Sequence, residues 1–317
     1  MRGQSGNRLS YLDGTKKFGS DENGNGKKGY FDSISFSCDS KGNINVSIES
    51  PSQKESVCCW LERLKINNTL LSTGNETYTV YDPLIPALKE AGIGILDLLE
   101  IEMLFDKIQP DADGRGRVTD GIVTPEKYIK APYRVLWILK EPHGDGDWDL
   151  REFLSVGNFK KYPRWRTTFS LLLLVTHGIF HGFMPWTSLP TVNDIDPHIL
   201  EQIAYINLKK LPGKPQAVHF QIDNAFRQSE ELIVKQISVF KPQIIIICCG
   251  FKLWLLGPAL GILDENEKIK RDISFAAYTK HDSVVFIDTY HPAQTSITRE
   301  AHYEAVIAAC QKGLYLP

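Results

Sequence analysis

Short runs of consecutive apolar residues alternate with stretches of helical periodicity from residue 133 onward. The apolar runs cover residues 133–139, 203–208, 243–249 and 284–288. Apolar residues at helical spacing recur over residues 167–180, 225–240 and 298–312. Runs of four to eight apolar residues are typical of strands that are buried on both faces, as in parallel sheets. The alternation therefore predicts an α/β fold, with a four-stranded parallel sheet sandwiched by helices.

The N-terminal part of the chain has a different texture and is predicted to form an accessory lobe of α+β type. Gly, Asn, Ser and Lys dominate its beginning, and short β-rich segments follow. Residues 82–107 have helical spacing that two glycines interrupt. Pro125 then stands at the start of a predicted helix. The predicted domains are an accessory region at 1–125 and the α/β domain at 126–317.

Polar side chains follow the predicted strands at the edge where ligands bind in parallel sheets. Glu141 follows the first apolar run, Asn207 lies in the second, and His291 follows the fourth. The Asn207 amide can both donate and accept, which suits a base edge, and the adjacent Lys209 and Lys210 suit phosphates. Taken singly, Glu141 also fits a solvated turn and His291 a structural role.

Together these strand ends resemble the uracil-DNA glycosylase superfamily, from about residue 133 to the C-terminus. Lys140-Glu141-Pro142 is similar to the turn of the superfamily's first motif, and His291-Pro292-Ala293 to its second. Residues 207–214 are similar to the Asn-bearing strand end of the thermophile-type branch. Residues 242–250 are similar to the strand and glycine between the motifs.

The resemblance implies a DNA glycosylase, which flips a nucleotide out of DNA and hydrolyses its N-glycosidic bond to leave an abasic site. Breaking this bond develops positive charge on the sugar and negative charge on the base. Glu141 would stabilise the sugar or align the attacking water. His291 would donate a hydrogen bond to the 2-oxygen of the base, and Asn207 would read the base.

The loop after Glu141 departs from the uracil-specific branch, where a Tyr blocks substituents at the pyrimidine 5-position. His143 takes that place in a glycine-containing loop, and Asp145, Asp147 and Asp149 follow as hydrogen-bond acceptors. Some bacterial members of the superfamily excise glucosylated hydroxymethylcytosine from phage DNA, and the open loop favours such a 5-modified cytosine in an anti-phage role. Uracil excision in DNA repair and a non-catalytic DNA-binding module stay open as alternatives.

Further residues are predicted to contact the base or the DNA. Phe153 is the candidate platform on which the base stacks, with an ordinary core Phe as the alternative. Cations and aromatic residues crowd residues 160–166, although a solvated surface would have the same composition. The predicted DNA-contacting residues outside the lysine pair are Arg164, Trp165, Arg166, Ser296, Ile297 and Arg299, and Ile297 is the candidate wedge for the space that a flipped base leaves.

Composition and charge narrow the remaining function classes. The formal net charge of -2 means that DNA binding must come from a local basic patch. The six cysteines have no Cys-x-x-Cys spacing, so neither zinc nor an iron-sulfur cluster is expected, and the glycosylase reaction requires no cofactor. Glycine-rich and acidic spacings within residues 21–32 lack the context of a nucleotide or calcium loop. Without a signal peptide or membrane-spanning segment, a cytoplasmic location is expected.

Overall fold

The structure is a computed structural model that describes residues 29–31, 34–39, 43–67, 69–74, 76–161, 165–213, 219–262 and 269–315. The chain divides into two compact units, Met1–Asp106 and Lys107–Pro317. This boundary lies ahead of the predicted one at residue 125. The reason is that residues 118–122 form strands that pair inside the second unit. The glycine-rich and acidic spacings at 21–32 lie almost wholly outside the described residues.

The first unit combines an antiparallel sheet with helices, as predicted. Its elements are β1 (Gly29–Phe31), β2 (Ile34–Cys38), β3 (Ile44–Ser47), α1 (Pro51–Arg63), β4 (Leu71–Gly74), β5 (Thr77–Val80), α2 (Leu84–Glu90) and α3 (Ile95–Asp106). The strands pair in the order β1-β2-β3-β5-β4. Helices α2 and α3 lie in the predicted helical stretch 82–107 and are separated at Gly92, whose φ of +77° ends a helix readily.

The second unit begins with two short strands and contains the predicted α/β pattern. Its elements are β6 (Val118–Thr119), β7 (Gly121–Ile122), α4 (Pro125–Lys130), β8 (Val135–Leu139), β9 (Trp148–Asp149), α5 (Leu150–Leu154), α6 (Trp165–Phe180), β10 (Ala204–Asn207), α7 (His219–Phe240), β11 (Ile244–Ile247), α8 (Leu253–Leu260), β12 (Lys270–Ile273), β13 (Ala276–His281), β14 (Val284–Thr289) and α9 (Arg299–Leu314).

The main sheet of this unit is a seven-stranded mixed sheet, in the order β12-β13-β14-β11-β8-β10-β7. Strands β10, β8, β11 and β14 are neighbours and run parallel to one another. Strand β7 is antiparallel at one edge, and the hairpin β12–β13 is antiparallel at the other. The prediction of a sheet with four strands missed these additions, because β12 is largely exposed and β7 is two residues long.

The central strands are continuous apolar runs because both of their faces are covered. Every residue of β8, β10 and β11 is buried. Alternate residues such as Val135, Trp137 and Ile246 pack with leucines of α6 and with α9, while the residues between them, such as Ile138, are buried equally. No helix within the described residues is long and apolar enough to cross a membrane.

Candidate active site

Three of the predicted site residues lie at one edge of the main sheet. Asn207 is the last residue of β10 and pairs with Leu139, the last residue of β8. Glu141 follows the end of β8 by two residues, and His291 follows the end of β14 by two residues. Strands β8 and β14 flank β11, so their ends lie about 10 Å apart at an interstrand spacing of about 4.8 Å. That span suits a nucleoside-sized ligand.

The carboxylate of Glu141 is buried and held from one side. Its side chain is 5% exposed, and the Lys209 ammonium lies 3.3 Å from Oε2. Lys209 Nζ also donates to the Pro212 carbonyl at 3.0 Å. Oε1 is buried and has no hydrogen-bond partner among the described residues. One carboxylate oxygen is therefore held by Lys209, and the other is buried without a hydrogen-bond partner among the described residues.

Gly213 gives the Glu141 carboxylate its space. A Cβ atom at this position would collide with the carboxyl group of Glu141. The backbone N–H of Gly213 donates to the Pro142 carbonyl at 2.8 Å, which brings the segment after β10 against the turn after β8. The segment from Lys209 to Gly213 thus shapes the Glu141 site. This role is not visible in the sequence.

The side chain of Asn207 is buried with both polar atoms of its amide unpartnered. The residue is 1% exposed, and neither Oδ1 nor Nδ2 has a hydrogen-bond partner among the described residues. Its backbone N–H donates to Asp120 Oδ2 at 2.8 Å. Buried amides are nearly always hydrogen-bonded, so an unpartnered one needs a polar partner such as a water molecule or a ligand. The amide can donate to one ligand atom and accept from its neighbour.

Lys210 is not the phosphate-binding residue that the sequence predicted. It is 2% exposed, and its ammonium lies 2.7 Å from Asp120 Oδ1 and 2.9 Å from Gln236 Oε1. Burial lowers the pKa of Lys210, and the Asp120 charge opposes this effect. The prediction is wrong because Lys209 and Lys210 point to different partners, so Lys210 joins the buried ion network Asp120–Lys210–Gln236 beneath Asn207.

His291 is arranged as a neutral donor. The backbone N–H of Ala293 donates to its Nδ1 at 3.1 Å, so the ring proton is placed on Nε2. Burial, together with the nearby Lys140 and His143, lowers the pKa of His291 to about 4. At neutral pH the ring is therefore uncharged and can donate a hydrogen bond from Nε2.

The loop after Glu141 places His143, Asp145 and Asp147 in exposed positions. Gly146 adopts φ +90° and packs directly on the backbone of Gly116, where a Cβ atom would collide. The loop is thereby fixed to the segment before β6.

Asp149 differs from the other acids of this loop. It is largely buried, caps α5, and forms an ion pair with the buried Arg151 at 2.7 Å. The Arg151 charge holds the pKa of Asp149 below its usual range against the opposing effect of burial. Asp149 is therefore a structural residue, and the idea that it accepts hydrogen bonds from substrate hydroxyls is wrong.

Phe153 lies in an aromatic cluster that packs against the core. Its ring centroid is 5.8 Å from that of Trp148 and 5.4 Å from that of Phe169. The Trp148 indole nitrogen in turn borders Gly144 in the loop after Glu141. Its role as a base platform stays a prediction.

The predicted DNA-contacting residues fall into two groups. Arg164 and the side chain of Trp165 lie outside the described part of the chain. Arg166 is exposed and donates to Asn193 Oδ1 at 3.0 Å, and Arg299 lies close enough to donate to the Arg166 carbonyl at 3.5 Å. Two arginines from separate segments therefore lie side by side on the surface.

The loop after His291 is pinned by one side chain. Gln294 accepts from the Ile297 N–H at 2.8 Å and donates to the Ile297 carbonyl at 3.1 Å. Ser296 is exposed at the tip of this loop and Ile297 is half-buried, while Thr298 caps α9. The wedge role of Ile297 stays a prediction.

Comparison with known proteins adds no family to these observations. No protein-family model matches the chain, and no curated protein matches it.

All six cysteines are free thiols, and no group of three or more His, Cys, Asp or Glu side chains within the described ranges is placed to hold a metal ion. The candidate site is therefore defined by its own geometry.

Proposed function

We propose that the second unit is a DNA glycosylase that binds a flipped pyrimidine nucleotide at the edge formed by β10, β8 and β14. The observation that carries this proposal is the buried Asn207 amide, whose two polar atoms have no partner among the described residues. The free Glu141 oxygen lies on the neighbouring strand end, and the His291 donor lies two strands further along. An amide, an anion and a neutral donor are the groups that this reaction needs.

The reaction places opposite charges on the two halves of the nucleotide. As the N-glycosidic bond breaks, positive charge develops on the sugar and negative charge on the base. The Glu141 carboxylate stabilises the sugar through Oε1 or aligns the attacking water there, while Lys209 holds its other oxygen. His291 donates from Nε2 to the 2-oxygen of the base without first needing to lose a proton, because burial keeps the ring neutral.

Asn207 hydrogen-bonds the base on the side opposite His291, which donates to the 2-oxygen. Its amide matches uracil in one orientation and cytosine in the other. The exposed His143, Asp145 and Asp147 leave the 5-position accessible to a large, hydroxyl-rich substituent. We therefore place a 5-modified cytosine, such as glucosylated hydroxymethylcytosine of phage DNA, ahead of uracil as the substrate.

An excision assay tests this proposal. Duplexes that carry glucosylated hydroxymethylcytosine, uracil or unmodified cytosine are incubated with the protein, and alkali then cleaves any abasic site. We expect Glu141→Gln to keep DNA binding and to lower strand scission by at least about 10², because the amide keeps the shape but removes the charge.

Glu126→Gln is the matched control, because Glu126 is exposed on α4 and forms an ion pair with Lys130 one turn away. Its excision rate should equal that of the unmodified protein. If no base is excised while all DNA is bound, the chain is a non-catalytic DNA-binding module. A substitution at Glu141 that leaves turnover near normal contradicts the assigned role.

A further inference from the structure

A cavity lies beside the carboxyl end of β14. Its volume is about 250 Å³, and it is lined by Phe251, Arg271, Ile273, Phe275, Ala276 and Ala277. The Tyr290 ring stands against that of Phe251 at 5.0 Å and nearly at right angles. We propose that this cavity binds an unpaired DNA base next to the flipped nucleotide. This inference rests on the proposed glycosylase function.

Both phenylalanines of the cavity are held in a strained backbone conformation. Phe275 has φ +70° in the two-residue turn that joins β12 to β13, and Phe251 has φ +62° directly after Gly250. Glycine or asparagine normally occupies such left-handed positions, because a bulky side chain there is costly. Strained backbone clusters at ligand sites, and two of the positive-φ residues of this chain meet at this cavity.

One residue ties both strained turns to the candidate active site. Thr289, the last residue of β14, donates from Oγ1 to the Phe275 carbonyl at 2.7 Å. Its own carbonyl accepts from the Gly250 N–H at 3.1 Å. Thr289 lies two residues before His291. The cavity and the leaving-base donor are therefore fixed to the same strand end.

The chemistry of the cavity fits a nucleotide. Phe275 and Tyr290 are each 37% exposed, which leaves ring surface on which a planar base can stack. Arg271 is exposed, and its charge acts on the Asp288 carboxylate, whose pKa it lowers against the effect of burial; its guanidinium is open to solvent and can meet a phosphate. A volume below the roughly 300–1,000 Å³ of pockets for drug-sized ligands suits a single ring system.

The position of Tyr290 favours a base within a DNA strand over a free nucleotide. Tyr290 is the residue before His291, and successive Cα atoms are about 3.8 Å apart. A strand whose flipped nucleotide reaches His291 therefore passes the edge of this cavity. The adjacent base, once unstacked, can stack on the exposed rings of Phe275 and Tyr290. We therefore expect the protein to favour DNA whose bases next to the target are unpaired.

The test uses a short single-stranded oligonucleotide with 2-aminopurine next to the target base. In the full chain, Phe275→Asn removes the ring and relieves the left-handed strain, so the melting temperature should stay equal or rise. We expect its affinity for the oligonucleotide to fall about 5- to 150-fold, the range that stacking of one base supports, and the stacking-dependent quenching of 2-aminopurine to disappear. Tyr315→Asn, at an aromatic residue that is 86% exposed, is the matched control and should change neither quantity.

A second variant examines the phosphate contact. Arg271→Ala should reduce the salt dependence of single-strand binding by about 0.7 in the logarithmic slope, which corresponds to one lost phosphate contact. The control is Arg227→Ala, at an exposed arginine on α7.

The outcomes separate this inference from the proposed glycosylase function. Unchanged binding and quenching in Phe275→Asn, together with Glu141-dependent excision, would overturn the cavity and leave the glycosylase in place. Phe275-dependent binding without excision of any base would support a base-stacking cavity and count against the glycosylase.

Discussion

The unpartnered Asn207 amide lowers the stability of the chain when no ligand is bound. An unsatisfied buried polar group costs about 1–3 kcal/mol. Leucine has nearly the same shape and no polar atom. We therefore expect Asn207→Leu to raise the free energy of unfolding by about 1–3 kcal/mol and to abolish recognition of the base. Urea unfolding and the excision assay measure the two effects. A loss of stability would mean that the amide is satisfied within the fold.

The protonation of His291 sets the acid limit of the reaction. Its pKa is lowered to about 4, so the ring keeps its neutral, donating form at every pH above that value. We expect excision to stay level between pH 8 and about 5 and to fall only near pH 4. The excision rate across this range tests the point, with binding to an abasic duplex as the control. A fall centred near the ordinary histidine value of about 6.5 would contradict the buried, neutral ring.

The end of β10 depends on a buried ion network that connects distant elements. Asp120, next to β7, holds the Asn207 backbone and the Lys210 ammonium, and Gln236 on α7 completes the network. Removing one partner of a buried pair leaves an uncompensated charge, which costs about 3–5 kcal/mol. We expect Asp120→Asn to lower the free energy of unfolding by that amount.

The double variant Asp120→Asn with Lys210→Met provides the control. It removes both charges at once, so we expect most of the lost stability to return. Urea unfolding of the single and double variants gives the comparison. Equal losses in both would show that the charge pair is not the source of the effect.

The strands of the main sheet that the sequence predicts are buried over all or nearly all of their length. Continuous apolar runs such as 243–249 are visible because no residue of the strand meets solvent. Strand β12 shows three exposed residues out of four, so it carries no such run and was missed. The edges of the sheet were thus harder to predict than its centre.

The site residues at the strand ends could be predicted from the sequence, but the residues that hold them in place could not. Glu141, Asn207 and His291 follow apolar runs and could be singled out. Asp120 reaches Asn207 across 87 positions of sequence, and no motif surrounds it. Lys210 was predicted to bind phosphate, and this prediction failed. The direction in which a side chain points after a strand depends on packing that the sequence does not display.

The candidate site lies entirely within the second unit, which has its own sheet and core. We expect a fragment of residues 107–317 to fold and to excise the same base as the full chain. Circular dichroism with thermal unfolding reports the fold, and the excision assay reports the activity, with the full chain as the reference. A fragment that unfolds cooperatively but excises nothing would assign part of the activity to residues 1–106.

Gly213 makes the position of the Glu141 carboxylate sensitive to a residue that performs no chemistry. Any side chain at 213 must displace that carboxyl group. The residues at positions 141 and 213 are therefore expected to change together. Chains that lose the acid can place a larger residue at 213 freely, whereas chains that keep it must shift the carboxyl group to do so. In related chains, the pair of residues at these two places would therefore record whether the acid was still in use.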